Sequence, residues 1–186
     1  MNYDKGLGPD GFDGHVLKMS PDLLAKAAED ICNALNRGQI PAHLKGGRVV
    51  ALSKRKGSSI ARLDEVRYIT IMSHLTKIIE KTVLEKIDKV GCKLLATRLY
   101  QAGFKHGPGV QANLTHVLRA RKRSAFLFVD LEKAFDRVDR KILLKALHQR
   151  CRTPQDKAIF RVIKDLLTDT LVEMGNHRIE TRHGVP

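Results

Sequence analysis

Residues 124–130 read Ser-Ala-Phe-Leu-Phe-Val-Asp, an unbroken apolar run that ends on a carboxylate. A run apolar on both alternating faces is expected as a strand in the middle of a sheet covered on both sides. Asp130 then sits where the strand leaves the core, rigidly held yet able to meet solvent. A carboxylate without a partner there costs free energy. Magnesium ions would resolve it, because they take hard oxygen ligands and let phosphates complete their shell. Lys133, Asp136, Arg137, Asp139, Arg140 and Lys141 follow closely, and the cations among them suit a phosphate-bearing ligand. Two other readings stay open on this run alone: Asp130 caps the next turn, or it pairs with a nearby arginine.

The rest of the chain supplies elements for such a sheet. Ser20, Pro21 and Asp22 read as an N-cap, a first-turn proline and a dipole-matched acid. The helix they open carries Leu24, Ala27, Ala28, Ile31, Cys32 and Leu35 on one face and stops near Gly38. Residues 48–54 are expected as a short strand leading into the basic loop at 54–59. Leu75, Ile78, Ile79, Val83, Ile87 and Val90 predict a helix from about Ser73 to Gly91, and another spans 110–121. Residues 140–150 and 155–167 are amphipathic helices. Residues 171–181 read as a hairpin turning at Gly175-Asn176. The glycines and Pro9 in 6–14 are turn chemistry. The fold class expected is α+β, with helices packed on a small mixed sheet.

Composition narrows the function classes. Thirty-four Lys and Arg against twenty Asp and Glu give +14 and a pI near 10.0, which fits a binder of polyanions such as nucleic acid. A length of 186 residues suits one ordinary domain or two packed halves. Cys32, Cys92 and Cys151 are scattered, with no zinc spacing and no disulfide framework, so an intracellular, reducing compartment is expected. No run approaches the roughly 18 apolar residues of a membrane helix. Whether the compartment is nucleus, cytoplasm or organelle is not readable.

The order of short motifs is the sharpest signal. Phe-Val-Asp-Leu-Glu-Lys-Ala-Phe-Asp-Arg-Val-Asp at 128–139 resembles the first catalytic motif of reverse transcriptases, especially those of non-LTR retrotransposons and group II introns. Gly-Pro-Asp-Gly-Phe at 8–12 resembles that family's opening block, and residues 49–57 resemble the fingers strand with its lysine. Residues 66–81 resemble the Arg-Pro-Ile-Ser block and its helix. Residues 101–109 resemble the Gln-x-Gly-Phe-Arg segment, and His-Gly-Val-Pro at 183–186 the start of the next palm motif. The resemblance covers residues 6–186.

The resemblance implies a fold of fingers and incomplete palm, with 1–123 fingers-like and 124–186 a partial palm. It implies an RNA-directed DNA polymerase that transfers nucleotides with two Mg2+ ions. Asp130 would be the first metal-binding aspartate, and Leu131 would offer its backbone carbonyl. Lys54 and Arg67 match the cations that grip the incoming triphosphate, with Lys56 a rival to Lys54 and a solvated loop charge the plainer reading. Lys133 and Ala134 would place backbone N–H groups near that triphosphate. Phe135 lies at the family's steric gate against a ribose 2′-hydroxyl, the alternative being a core aromatic. Arg119, Arg121, Lys122 and Arg123 are the expected contacts to nucleic-acid backbones.

The partners implied are an RNA template or RNA–DNA hybrid and a dNTP. A second polymerase fragment or a ribonucleoprotein partner is also implied. Tyr68 replaces the family's usual proline after Arg67, and His106 and the glycines around Pro108 depart from its template-contacting segment. No Tyr/Phe-x-Asp-Asp occurs, so the isolated chain is expected to be inactive as a polymerase, a truncation or a split enzyme. The second reading is a degenerate reverse transcriptase kept as an RNA-binding or scaffold component of a ribonucleoprotein. A basic globular domain with an accidental match is the third. The flank of residues 125–129 is expected to stay exposed and to pair with another chain.

Overall fold

The computed structural model describes residues 7–54, 65–89, 101–103, 109–120 and 124–184. Those residues divide between two compact units, Met1–Leu94 with Lys133–Pro186 and Leu95–Glu132. Among them are six α-helices and a four-stranded mixed sheet, as the α+β expectation requires.

In the first unit the chain runs α1 (Gly14–Met19), α2 (Pro21–Arg37), a 3-10 turn (Ala42–Leu44), β1 (Gly47–Ser53), β2 (Val66–Met72) and α3 (His74–Lys89). After the second unit come α5 (Arg140–Arg150), α6 (Pro154–Leu166), β3 (Thr170–Met174) and β4 (His177–Thr181). Helix α2 begins where the sequence said, with the Ser20 hydroxyl accepting from the Leu23 N–H at 3.4 Å and Pro21 in the first turn. Gly38 ends it in the left-handed region at φ 67°. Helix α6 opens with a reciprocal cap. The Thr153 hydroxyl accepts from the Asp156 N–H, and the Asp156 carboxylate accepts from the Thr153 N–H.

The core lies between α2, α3 and α6 and is built from Ile31, Ala34, Ile79, Val83, Ile159 and Val162, with Ile40 and Leu44 of the connecting turn. The face of α3 matches its expected helical spacing. On α2 the buried face is rotated. Ile31 and Ala34 are buried, whereas Leu24 and Cys32 are exposed.

The sheet order is β2-β1-β3-β4. Strands β1 and β2 are antiparallel, β3 and β4 form the expected hairpin around Gly175 (φ 59°), and β1 meets β3 in parallel at Gly47↔Val172. This crossing needs glycine. A Cβ on Gly46 would collide with the Leu171 carbonyl.

The second unit holds α4 (Val110–Arg119), whose Val110, Leu114 and Leu118 are all exposed. It also corrects the strand expected at 124–130. Those residues form no strand, and Leu127, Phe128 and Val129 are exposed by 90%, 81% and 78%. The Phe126 and Phe128 rings stand 6.5 Å apart, so alternate side chains share a side as in a strand. What is missing is a ladder: no described strand pairs with this run, and the strands of the sheet all come from residues 47–72 and 170–181. The expectation that residues 125–129 stay exposed agrees with this structure.

Candidate nucleotide and nucleic-acid site

The first group of expected site residues stands on the β1–β2 pair. The register sets Leu52 opposite Arg67 and Ser53 opposite Val66, and the Lys54 N–H donates to the Glu65 carbonyl at 2.9 Å. Side chains alternate along a strand, so Lys54, Leu52 and Arg67 lie on one face. Lys54 and Arg67 are both exposed, and two cations on one face of a sheet can meet a polyphosphate together. Arg67 keeps its place in the ladder with Tyr68 after it, so the substitution for proline leaves a regular strand here. Lys56 lies outside the described residues.

The second group is the turn at Lys133–Val138. Lys133 adopts φ 51°, a left-handed conformation that a side chain disfavours. The Arg137 N–H donates to the Lys133 carbonyl at 3.1 Å, and the Val138 N–H to the Phe135 carbonyl at 3.4 Å. Ala134 lies on the exposed part of this turn, and Phe135 is 58% exposed. Phe135 is therefore not a core aromatic.

Behind the turn lies a cluster that corrects one expectation, since Arg140, counted among the cations suited to a phosphate, is bonded to neutral protein oxygens instead. Arg140 is buried, and its guanidinium donates to the Gly184 carbonyl (2.6 Å), the Leu167 carbonyl (3.0 Å) and the Thr170 hydroxyl (2.8 Å). It also donates to the Thr181 carbonyl (2.8 Å) and hydroxyl (2.9 Å). All these acceptors are neutral, and burial pushes the guanidinium pKa down from its ordinary value. Asp139 beside it caps α5, accepting from the Ile142 and Lys141 N–H groups, and those bonds hold its carboxyl below the usual range. Gly184 lay inside a motif the sequence pointed to. Nothing in the sequence distinguishes Arg140 from the solvated arginines around it.

The third group belongs to the second unit. Asp130 and Leu131 lie in the unpaired run, both exposed, Leu131 by 72%. No hydrogen bond or ion pair joins Asp130 to another of the described residues. Arg119 is exposed in the last turn of α4, and Arg121, Lys122 and Arg123 lie outside the described residues. No cluster of three or more His, Cys, Asp or Glu able to hold a metal occurs among the described residues. One carboxylate and one carbonyl are too few oxygens for two hard cations that each take about six. These residues alone do not fit a two-ion site. A cleft of about 610 Å3 lined by Ile31, Ala34, Ile40 and Leu44 contains none of the expected site residues. No described helix is long and apolar enough to cross a membrane.

Comparison with known proteins bears on all three groups. Residues 53–186 match the family described as reverse transcriptase (RNA-dependent DNA polymerase). The chain is also similar to the RNA-directed DNA polymerase from the mobile element jockey of Drosophila melanogaster. It is 27% identical over 176 residues, which cover 89% of this chain. The chain spans 18% of that relative's length.

Proposed function

Because this chain belongs to the reverse transcriptase (RNA-directed DNA polymerase) family, of the non-LTR retrotransposon type, we propose that it forms the fingers and front of the palm of such a polymerase. Residues 1–123 make the fingers-like region and 124–186 the palm part. The observation that carries this reading is the family match over residues 53–186, which takes in Arg67, Lys54 and the whole motif around Asp130.

In this reading Lys54 and Arg67 grip the triphosphate of the incoming dNTP. Backbone N–H groups of Lys133 and Ala134 approach the same phosphates, and Phe135 faces the sugar. Phosphoryl transfer relies on positioning and charge neutralisation, which is the chemistry a pair of cations and a turn of N–H groups can perform. Reverse transcriptases use divalent metal ions. Asp130 and the Leu131 carbonyl are this region's contributions to a Mg2+ site, whose remaining ligands must come from outside the described residues. Arg119, with Arg121, Lys122 and Arg123, holds the RNA template or RNA–DNA hybrid by its backbone.

A second reading, a reverse transcriptase domain kept as an RNA-binding component of a ribonucleoprotein, is favoured by one fact. Among the described residues Asp130 belongs to no group of three or more His, Cys, Asp or Glu able to hold a metal. Both readings require binding through the phosphate backbone. The test is fluorescence anisotropy with a labelled RNA–DNA hybrid at low salt, competed with hybrids of unrelated sequence. Binding displaced equally by every sequence is expected. Binding to one sequence alone, or none at all, contradicts both readings.

A further inference from the structure

We propose that Arg140, acting through Gly184, is the positioning residue for the Lys133–Val138 turn and hence for Phe135. The inference rests on the reading above only in assigning Phe135 to the sugar of the nucleotide.

Arg140 is the first residue of α5, directly after its N-cap Asp139. A cation at that end opposes the helix dipole, so helix formation does not account for an arginine there. Nor does an ion pair, since among the described residues every acceptor of its guanidinium is a neutral oxygen. What the planar fork does is tie three places together: the end of α6 at Leu167, the open end of the β3–β4 hairpin at Thr170 and Thr181, and Gly184. A lysine, with a single compact ammonium, cannot span them in fixed directions.

Gly184 carries the effect onward. Its carbonyl accepts from Arg140 Nε at 2.6 Å, and its N–H donates to the Val138 carbonyl at 2.9 Å. At φ 75° it lies in the region that favours glycine, and the turn approaches its Cβ position closely. A methyl there would stand 3.1 Å from Asp136 Cα and carbonyl oxygen and 3.2 Å from the Phe135 carbonyl oxygen. The backbone of Gly184 thus lies directly against the peptide units that present Phe135. The turn itself holds Lys133 in a disfavoured conformation, which persists only where surroundings over-determine it. Gly184, fixed by Arg140, is such a surrounding. The dependence of Phe135 on Arg140 follows.

The test is fluorine NMR of the 186-residue chain carrying fluorophenylalanine, with the Phe135 signal assigned by its loss in Phe135→Tyr. Phe160, on α6 against His148 with ring centroids 5.2 Å apart, reports whether the α5–α6 packing survives. Arg140→Lys is expected to shift or broaden the Phe135 signal while that of Phe160 stays in place. Thr181→Ala, which removes one acceptor and leaves Gly184 held, is expected to move neither. An unmoved Phe135 signal in Arg140→Lys with Phe160 in place overturns the proposal. If Arg140→Lys unfolds, as the Phe160 signal would reveal, Gly184→Ala decides by the same readout, and an unmoved Phe135 signal again overturns it. Titration of the wild-type chain with dTTP and Mg2+ separates the two layers. A Phe135 signal that ignores dTTP but moves in Arg140→Lys leaves the positioning intact and removes the nucleotide role of Phe135.

Discussion

The ammonium of Lys45 shows how single residues decide this fold. It is buried, and it reaches Asp165 Oδ1 at 2.9 Å, while Oδ2 of the same carboxylate accepts the Ile40 N–H at 2.6 Å. The pair fastens the end of α6 to the turn that enters β1. Removing the carboxylate leaves a buried cation and an amide without partners, which is the expensive way to break an ion pair. Asp165→Ala is therefore expected to lower stability by about 3 kcal/mol, read from the urea midpoint. The pair Arg178–Glu173, at a similar 2.8 Å but with the arginine exposed, should be worth less than about 1 kcal/mol. Equal losses from Asp165→Ala and Glu173→Ala would contradict this ranking. Neither Asp165 nor Arg140 could be singled out in advance. A helix with periodic apolar residues carries charges on its other face, and nothing in the sequence says which of them the tertiary fold will cover. Lys54 and Phe135 could be put forward in advance because they sit at fixed offsets inside motifs.

At the scale of elements, boundaries were legible wherever a local rule has a local cause. Ser20-Pro21 starts α2, Gly38 ends it and Gly175 turns the hairpin, each by its own capping or left-handed geometry. Strand β2 was not anticipated, since its Tyr68 and Ile69 remain exposed at the sheet's edge and the apolar alternation is weak. The short helix α1, capped by the Asp13 carboxylate, was not anticipated; it begins at Gly14, the last residue of the stretch that reads as turns. The run at 124–130 failed for a different reason. Its composition reports that both faces want cover, but a strand exists only when a neighbour supplies hydrogen bonds. Amides of residues 125–131 are accordingly expected to exchange with solvent much faster than those of Val49 and Val50, which lie inside the β1–β2 ladder. Equal protection in a hydrogen-exchange experiment on the 186-residue chain would show that the run is paired after all.

At the scale of the molecule, chemistry and charge separate. The described residues offer one carboxylate, Asp130, where a two-ion site needs several, so the isolated chain is expected not to extend a primed RNA template with Mg2+ and dNTPs. Primer extension above the level of Asp130→Ala would contradict that. Charge, by contrast, is abundant. A net +14 on 186 residues is ample to neutralise several phosphates and release their counterions, whether or not the chain catalyses anything. The central claim, that this is a nucleic-acid-gripping part of a reverse transcriptase, is tested most directly by measuring its affinity for an RNA–DNA hybrid as salt rises from about 50 to about 200 mM. A fall of roughly ten-fold or more is expected over that range. An affinity that does not change with salt, or no binding at the lowest salt, would contradict it.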